Sequence, residues 1–533
     1  MIDTILLGAN IITLDKNLPR ARALALSYGR VVALGADDEI RHLANAGTTV
    51  VNLDGKTILP GLTDAHLHWE AQAQAMRSVN VFEVSDKSIA IERVRERVRE
   101  TPADLWVRGQ GWAQDLWPDR TFPTRQDLDD VAPAHPVYLS AKSGHAAWVN
   151  SAALRRAGIT DSTPDPEGGQ IQRDADGAAT GILLETAMDL VSERIPSPTS
   201  DELAGMMLQA QDHALQCGIT MIHDFDEPSC LAALQVLRER GELSLRVLKQ
   251  INQNWLSAAL DSGIRSGFGD DWIRIGALKL FADGALGPKT ALMFEPYQGE
   301  PDNYGMAVVD KEEMIEYVSR ASAFGLPSSI HAIGDKAVHD TLDVFEVVRS
   351  EEAERGLPAQ DRRHRIEHVQ IIHPGDAGRL AELDVIASMQ PIHATSDRIT
   401  ALRYWGERTA YAYNPRLQLD QGARVAFGSD APVEPLDPFI GIHAAVTRQR
   451  DGQPTGGWHP EARLSLHESL LGFTQGPAYA ARMEDRLGKL KEGFLADFIV
   501  LDRDIYQVEP EEILELNILG TMVGGDWRFR AFD

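Results

Sequence analysis

The chain has 533 residues, 43% hydrophobic and 25% charged, the proportions of a soluble globular protein able to bury a large core. A net charge of -27 and a pI near 5.0 argue against nucleic acid or an anionic membrane as partner, because either would be repelled over the whole surface. Two cysteines, Cys217 and Cys230, argue against a disulfide framework and for a reducing, cytoplasmic setting, and neither a basic leader nor a membrane-length apolar run is present.

Residues 1 to 57 read as short strands, Thr4 to Leu14, Ala23 to Ser27, Arg30 to Leu34 and Thr49 to Leu53, separated by turns such as Tyr28-Gly29 and Asp54-Gly55. An alternation of apolar strands and helical patterns follows, the signature of parallel βα units. The expected strands are Thr57 to Leu62, Gly218 to His223, Leu245 to Gln250, Ile273 to Phe281, Pro327 to His331, His364 to His368, Val385 to Gln390 and Ala423 to Phe427. They are enough to close a (β/α)8 TIM barrel, an α/β fold. Helices are expected over Ser200 to Gln216, Lys311 to Phe324, Lys336 to Glu354 and Ser465 to Arg482, the last opened by a capping box of Ser465 and Glu468. The stretch between the first two strands is too long for a loop, so an inserted subdomain is expected there. Phe498 to Leu501 and Ile518 to Val523 repeat the strand texture of the N-terminus, which suggests one small β-sandwich built from both ends. The expected domains are residues 1–57 with 484–533 as the sandwich, 58–80 with 191–483 as the barrel, and 81–190 as the insert.

Barrel active sites gather at the C-terminal ends of the strands. His66 and His68 follow the first apolar run, and alternation puts them on one face, able to grip one ion together. Lys279 lies in an apolar strand, where an ammonium tends to lose its proton; a neutral amine can add carbon dioxide to become a two-oxygen, anionic ligand. The competing reading pairs Lys279 with Asp283 or Asp430. His331 and His368 end the fifth and sixth strands, and Asp430 follows the eighth, placed to act as ligand or proton carrier. A lone strand-end histidine is an ordinary residue; together these residues point to metal. His364 begins its strand and so belongs to the opposite end of the barrel. His393 follows the seventh strand and is a candidate to face substrate, while Asp224, Asp226 and Asn252 are candidates for support or turn roles.

These segments resemble the metal-dependent amidohydrolase superfamily, and within it the amidohydrolase family 3 branch that includes N-substituted formamide deformylases. The resemblance rests on Leu59 to His68, Lys279 to Gly284, His331 to Asp335, Arg365 to His368, Gly428 to Pro432 and Leu487 to Phe498. It implies a binuclear centre of two divalent ions, zinc first, bridged by a carboxylated Lys279. One ion would take His66, His68 and Asp430, and the other His331 and His368. A hydroxide bridging the ions would attack, with Asp430 as general acid and base. His145 and Trp148 match an insert motif that in this branch leans over the pocket and binds substrate; Trp112, Trp117 and Trp148 are candidates for one apolar wall, although tryptophans are more often plain core. Ser143 stands where the branch often carries an acidic residue, which puts any borrowed substrate in doubt. The expected reaction is hydrolysis of a C–N bond in a small amide, formamide or carbamate. Alternatives are an esterase or lactonase on the same site, a one-metal deaminase, disfavoured because no glutamate follows His331, and a non-catalytic scaffold. A homodimer is the default assembly.

Overall fold

A computed structural model describes residues 2–82, 84–142 and 145–532. The chain divides into two compact units, residues 1–72 with 207–533, and residues 73–206.

In the first unit, an eight-stranded parallel sheet runs in order from Leu62–Leu67 through Ile219–Asp224, Arg246–Asn252, Ile273–Phe281, Ser328–Ala332, Arg365–His368 and Ile386–Met389 to Val425–Phe427. This is the expected barrel. Its first and last strands meet through individual bonds: Asp430 N donates to His66 O at 2.7 Å, His68 N donates to Ala431 O at 2.8 Å, and the Asp64 carboxylate accepts Ser429 N and Oγ. Gly428 makes this seam possible, since a Cβ there would stand 2.4 Å from His66 N.

Two further sheets belong to the same unit. One is four-stranded and N-terminal: Arg30–Gly35, Ala23–Ser27, Thr4–Leu7 and Thr49–Asn52. The other is six-stranded and drawn from both ends of the chain: Asp526–Arg530, Ile518–Val523, Phe498–Leu501, Thr57–Pro60, Asn10–Ile12 and Arg20–Ala21. Leu6, Leu24, Ile58, Phe498 and Val500 share one buried core between them.

Three expected elements are divided in the structure. The run Thr4 to Leu14 breaks at Gly8, whose φ of +64° suits glycine, so its halves enter different sheets. The run Thr57 to Leu62 is not a barrel strand. Thr57–Pro60 pairs antiparallel with Phe498–Leu501, and the chain enters the barrel at Leu62 after Gly61, where a Cβ would strike the Thr220 side chain. His66 therefore lies within the first barrel strand and His68 just beyond it. The closing helix splits into Leu466–Gly472 and Gln475–Ala480. Pro477 is tolerated in the first turn of the second piece but would break a continuous helix. The Ser465–Glu468 capping box forms as expected.

The second unit holds a mixed six-stranded sheet ordered Gly169–Arg173, Ala179–Glu185, Ala146–Val149, Val137–Ala141, Val107–Trp112 and Val79–Asn80. Helix Lys87–Glu100, capped by Asp86, supplies Ala90 and Val94 to a core with Leu139, Trp148 and Ile182.

Candidate metal centre

The barrel strands bring His66, His68, Lys279, His331, His368 and Asp430 to one end of the bore. His66 is fully buried; its Nδ1 bonds Glu367 Oε2 at 2.6 Å, and its Nε2 lies 3.5 Å from Asp430 Oδ1. His68 is built alike, with Nδ1 on Asp226 at 3.0 Å and Nε2 at 3.8 Å from the same Asp430 oxygen. A carboxylate on Nδ1 holds the proton there and turns the Nε2 lone pair toward the site. His368 Nδ1 bonds Gln390 Oε1 at 2.8 Å, again leaving Nε2 free, whereas His331 uses Nε2 on Gly284 O at 2.9 Å and leaves Nδ1. Ring centroids of His368 lie 4.7 Å from His66 and 4.6 Å from His331.

Backbone strain marks the same residues. Alternation would send His368 outward with Ile366, which packs in the core shared with Leu342 and Phe345. A φ of +76° at His368 ends the strand, and Asp430 stands at +65°. Such conformations cost about 1–3 kcal/mol each and persist where surrounding structure enforces them.

Lys279 is 1% exposed, and its Nζ has no hydrogen-bond partner. It lies 4.7 Å from the ring centroid of Phe225 and 4.4 Å from that of Phe281. Burial brings its pKa down to about 8. The competing pairing with Asp283 does not occur, because that carboxylate accepts the backbone N–H groups of Leu292, Ile333 and Gly334. Asp430 in turn takes His393 Nε2 at 3.3 Å.

The donor set fits divalent cations. His66 Nε2 and Lys279 Nζ are buried polar atoms without partners, the kind of debt that a metal ion or a modified side chain settles. His66, His68 and Asp430 can present ligand atoms all within 4.8 Å of one another, as can His368, His393 and Asp430. Burial lowers the pKa of His66 to about 4 and of His331 to about 3, so both remain neutral, as metal ligation requires. His393 behaves oppositely. Burial opposes its charge, but hydrogen bonds to Asp430 and Glu434 outweigh burial and raise its pKa to about 10. It donates to Asp430 at 3.3 Å, the carboxylate that both candidate ligand sets share.

Several supporting residues carried no flag in the sequence. Glu367 is fully buried and joins His66 to Arg365, whose guanidinium also reaches His223 Nδ1, Ala65 O and Ser388 Oγ. Arg365 and Glu367 share one strand face by alternation, a pattern readable in Arg365-Ile366-Glu367-His368. Of the support candidates, Asp226 holds His68, Asp224 pairs with Lys249 at 2.8 Å, and Asn252 bonds Phe225 O. His364 bonds Ser328 N and Glu352, a structural role.

A cavity of about 360 Å³ opens over His68, Lys279, His331, His368, His393 and Asp430. A larger apolar cavity of about 590 Å³, bordered by Leu231, Trp255 and Ile275, contains none of these residues.

In the second unit, His145 bonds Glu185 at 3.0 Å and lines, with Trp112, a cavity of about 520 Å³. The expectation that Trp148 offers a face to substrate needs correction. Its ring is fully buried in the unit's own core, and its N–H donates to Thr124 O. Trp112 and Trp117 are buried beside it, and the Trp112 N–H is spent on Leu139 O. Buried rings in mutual contact, with the N–H groups of Trp112 and Trp148 satisfied, read as core. Ser143 and Gly144 lie outside the described residues.

Comparison with known proteins gives the family and the fold. The sequence profile of the amidohydrolase family matches residues 49–529. The chain is 33% identical to Protein LONG AFTER FAR-RED 3 of Arabidopsis thaliana, over 98% of this chain and 91% of that one. It is 29% identical to the N-substituted formamide deformylase of Arthrobacter pascens, over 99% and 98%. The crystal structure of a metal-dependent hydrolase from Pyrococcus furiosus superposes with a TM-score of 0.78 at 30% identity, covering 94% of this chain and 99% of that one.

Proposed function

This chain belongs to the amidohydrolase family and is a metal-dependent hydrolase, and from that premise we propose that it cleaves the C–N bond of a small amide, formamide or carbamate at a two-metal centre. One ion, zinc by preference, would be held by His66, His68 and Asp430, the other by His331 and His368, and Lys279, as its carbamate, would supply anionic oxygen ligands. The observation that carries this reading is the pair of buried, unpartnered atoms, His66 Nε2 and Lys279 Nζ, beside neutral histidines and Asp430. Similarity to a formamide deformylase supports the choice of bond.

Divalent ions bound there supply Lewis acidity, lowering the pKa of water and polarising the scissile carbonyl. The protein's own groups supply the rest. Neutral Lys279 adds carbon dioxide by forming an N–C bond and releasing one proton. Asp430, steadied by the His393 N–H, accepts the proton of the attacking water and returns it to the departing nitrogen, which leaves as an amine. Glu367 and Asp226 keep His66 and His68 in the tautomer and orientation that ligation needs.

A hydrolysis screen over N-formyl, N-acyl, carbamate, ester and lactone compounds tests this. Amine release from at least one N-acyl class is expected. Turnover of esters or lactones with none of any amide, formamide or carbamate would overturn the choice of bond.

A further inference from the structure

Asp397 borders the cavity over the metal centre yet has no part in the roles assigned above. It immediately precedes helix Arg398–Trp405, where an acidic residue commonly caps the first turn, but its side chain takes no bond from that helix. Its Oδ2 accepts the Tyr413 hydroxyl at 3.0 Å, and its Oδ1 takes no hydrogen bond from any described residue. No lysine, arginine or histidine among the described residues stands within ion-pair distance of it. The His393 imidazole, on the same wall, is engaged by Asp430 at 3.3 Å and Glu434 at 3.8 Å. Arg450 lies beyond, 3.7 Å from Glu434. This wall of the cavity thus carries two carboxylates, Asp397 and Glu434, beside the His393 imidazole. Across the cavity, Phe281, Leu286 and Ile333 present apolar surface.

A half-buried carboxylate at the cavity wall, one oxygen of which takes no donor from the described residues, can accept a charge-assisted hydrogen bond from a ligand. We infer that Asp397 is a specificity residue that receives an ammonium group carried by the substrate. The substrate class is then an amide or formamide bearing a primary amino group, its hydrocarbon spacer lying against the apolar wall. This rests on the C–N hydrolysis proposed above.

The test compares two matched compounds on the metal-loaded enzyme, N-formyl-1,3-diaminopropane and N-butylformamide, by titration calorimetry and by turnover. They differ by an ammonium in place of a methyl group. The ammonium compound is expected to bind about tenfold more tightly, with a matching gain in kcat/KM. Asp397→Asn keeps an oxygen for Tyr413; it should remove that advantage through KM, leave kcat within about twofold, and leave the neutral compound unaffected. Equal binding of the two compounds by the unmodified enzyme overturns the inference without need of the variant, as does equal weakening of both by Asp397→Asn. Preferential binding of the ammonium compound without hydrolysis of either would sustain the role of Asp397 and remove formamides from the bonds proposed above. Equal hydrolysis of both would do the reverse.

Discussion

Replacing Glu367 by glutamine tests how the site is held. The carboxylate is fully buried, accepts His66 Nδ1 at 2.6 Å and Arg365 Nη2 at 2.9 Å, and is also reached by Ser329. Burial opposes its charge, but Arg365 and His66 outweigh burial and keep it ionised. Glu367→Gln preserves shape and removes charge. Arg365, 2% exposed, then keeps only neutral partners, and breaking a buried pair in this way costs about 3–5 kcal/mol. The amide also offers His66 Nδ1 either a donor or a neutral oxygen in place of an anion. The imidazole becomes less basic or turns its proton toward the ligating side. Loss of such support lowers metal affinity about 10–100-fold, or about 1.4–2.7 kcal/mol. Denaturant unfolding of the metal-free proteins measures the first cost, and competition with a chelator measures the second. A variant within about 0.5 kcal/mol of the wild type, with unchanged resistance to the chelator, would refute the reasoning.

Lys279→Ala should lower both metal content and turnover, and short carboxylic acids should partly restore activity; retention of the full metal complement would remove its bridging role. Gly428→Ala forces a Cβ to 2.4 Å from His66 N at the barrel seam and should cost about 1–3 kcal/mol of unfolding free energy, with metal content falling in parallel; an unchanged melting temperature would contradict it. Burial opposes the charge of Glu352, but His364, Ser322 and Arg349 outweigh burial and bring its pKa down to about 2. Since the folded value is depressed, its contribution is complete above about pH 4.5 and is lost as pH falls toward 2. The stability gap between wild type and Glu352→Gln should therefore shrink below pH 4.5, as equilibrium unfolding against pH would show; a gap that widens there has the wrong sign.

The barrel was legible because several apolar runs end near a residue able to bind metal, so strand positions and candidate ligands reinforce each other. Ile273–Phe281 and Ser200–Gln216 have the expected bounds. What escaped depends on contacts distant in sequence. Glu367 meets His66 across 301 positions; alternation in Arg365-Ile366-Glu367-His368 shows its shared face with Arg365 but not this distant partner. The transfer of the chain between sheets at Gly61 depends on Thr220 and on the C-terminal strand Phe498–Leu501. Apolar periodicity continues unbroken through Thr57 to Leu62, so pattern alone joins two strands of different sheets. For the tryptophans of the insert, residue type already favoured core; it was the resemblance that pointed Trp148 at substrate, and packing places its ring in the core.

Elemental analysis of the purified protein, read beside turnover, bears most directly on the two-metal centre. About two divalent ions per chain are expected, with activity falling as a chelator removes them and returning as they are restored. Full activity with no more than one ion per chain would contradict the account.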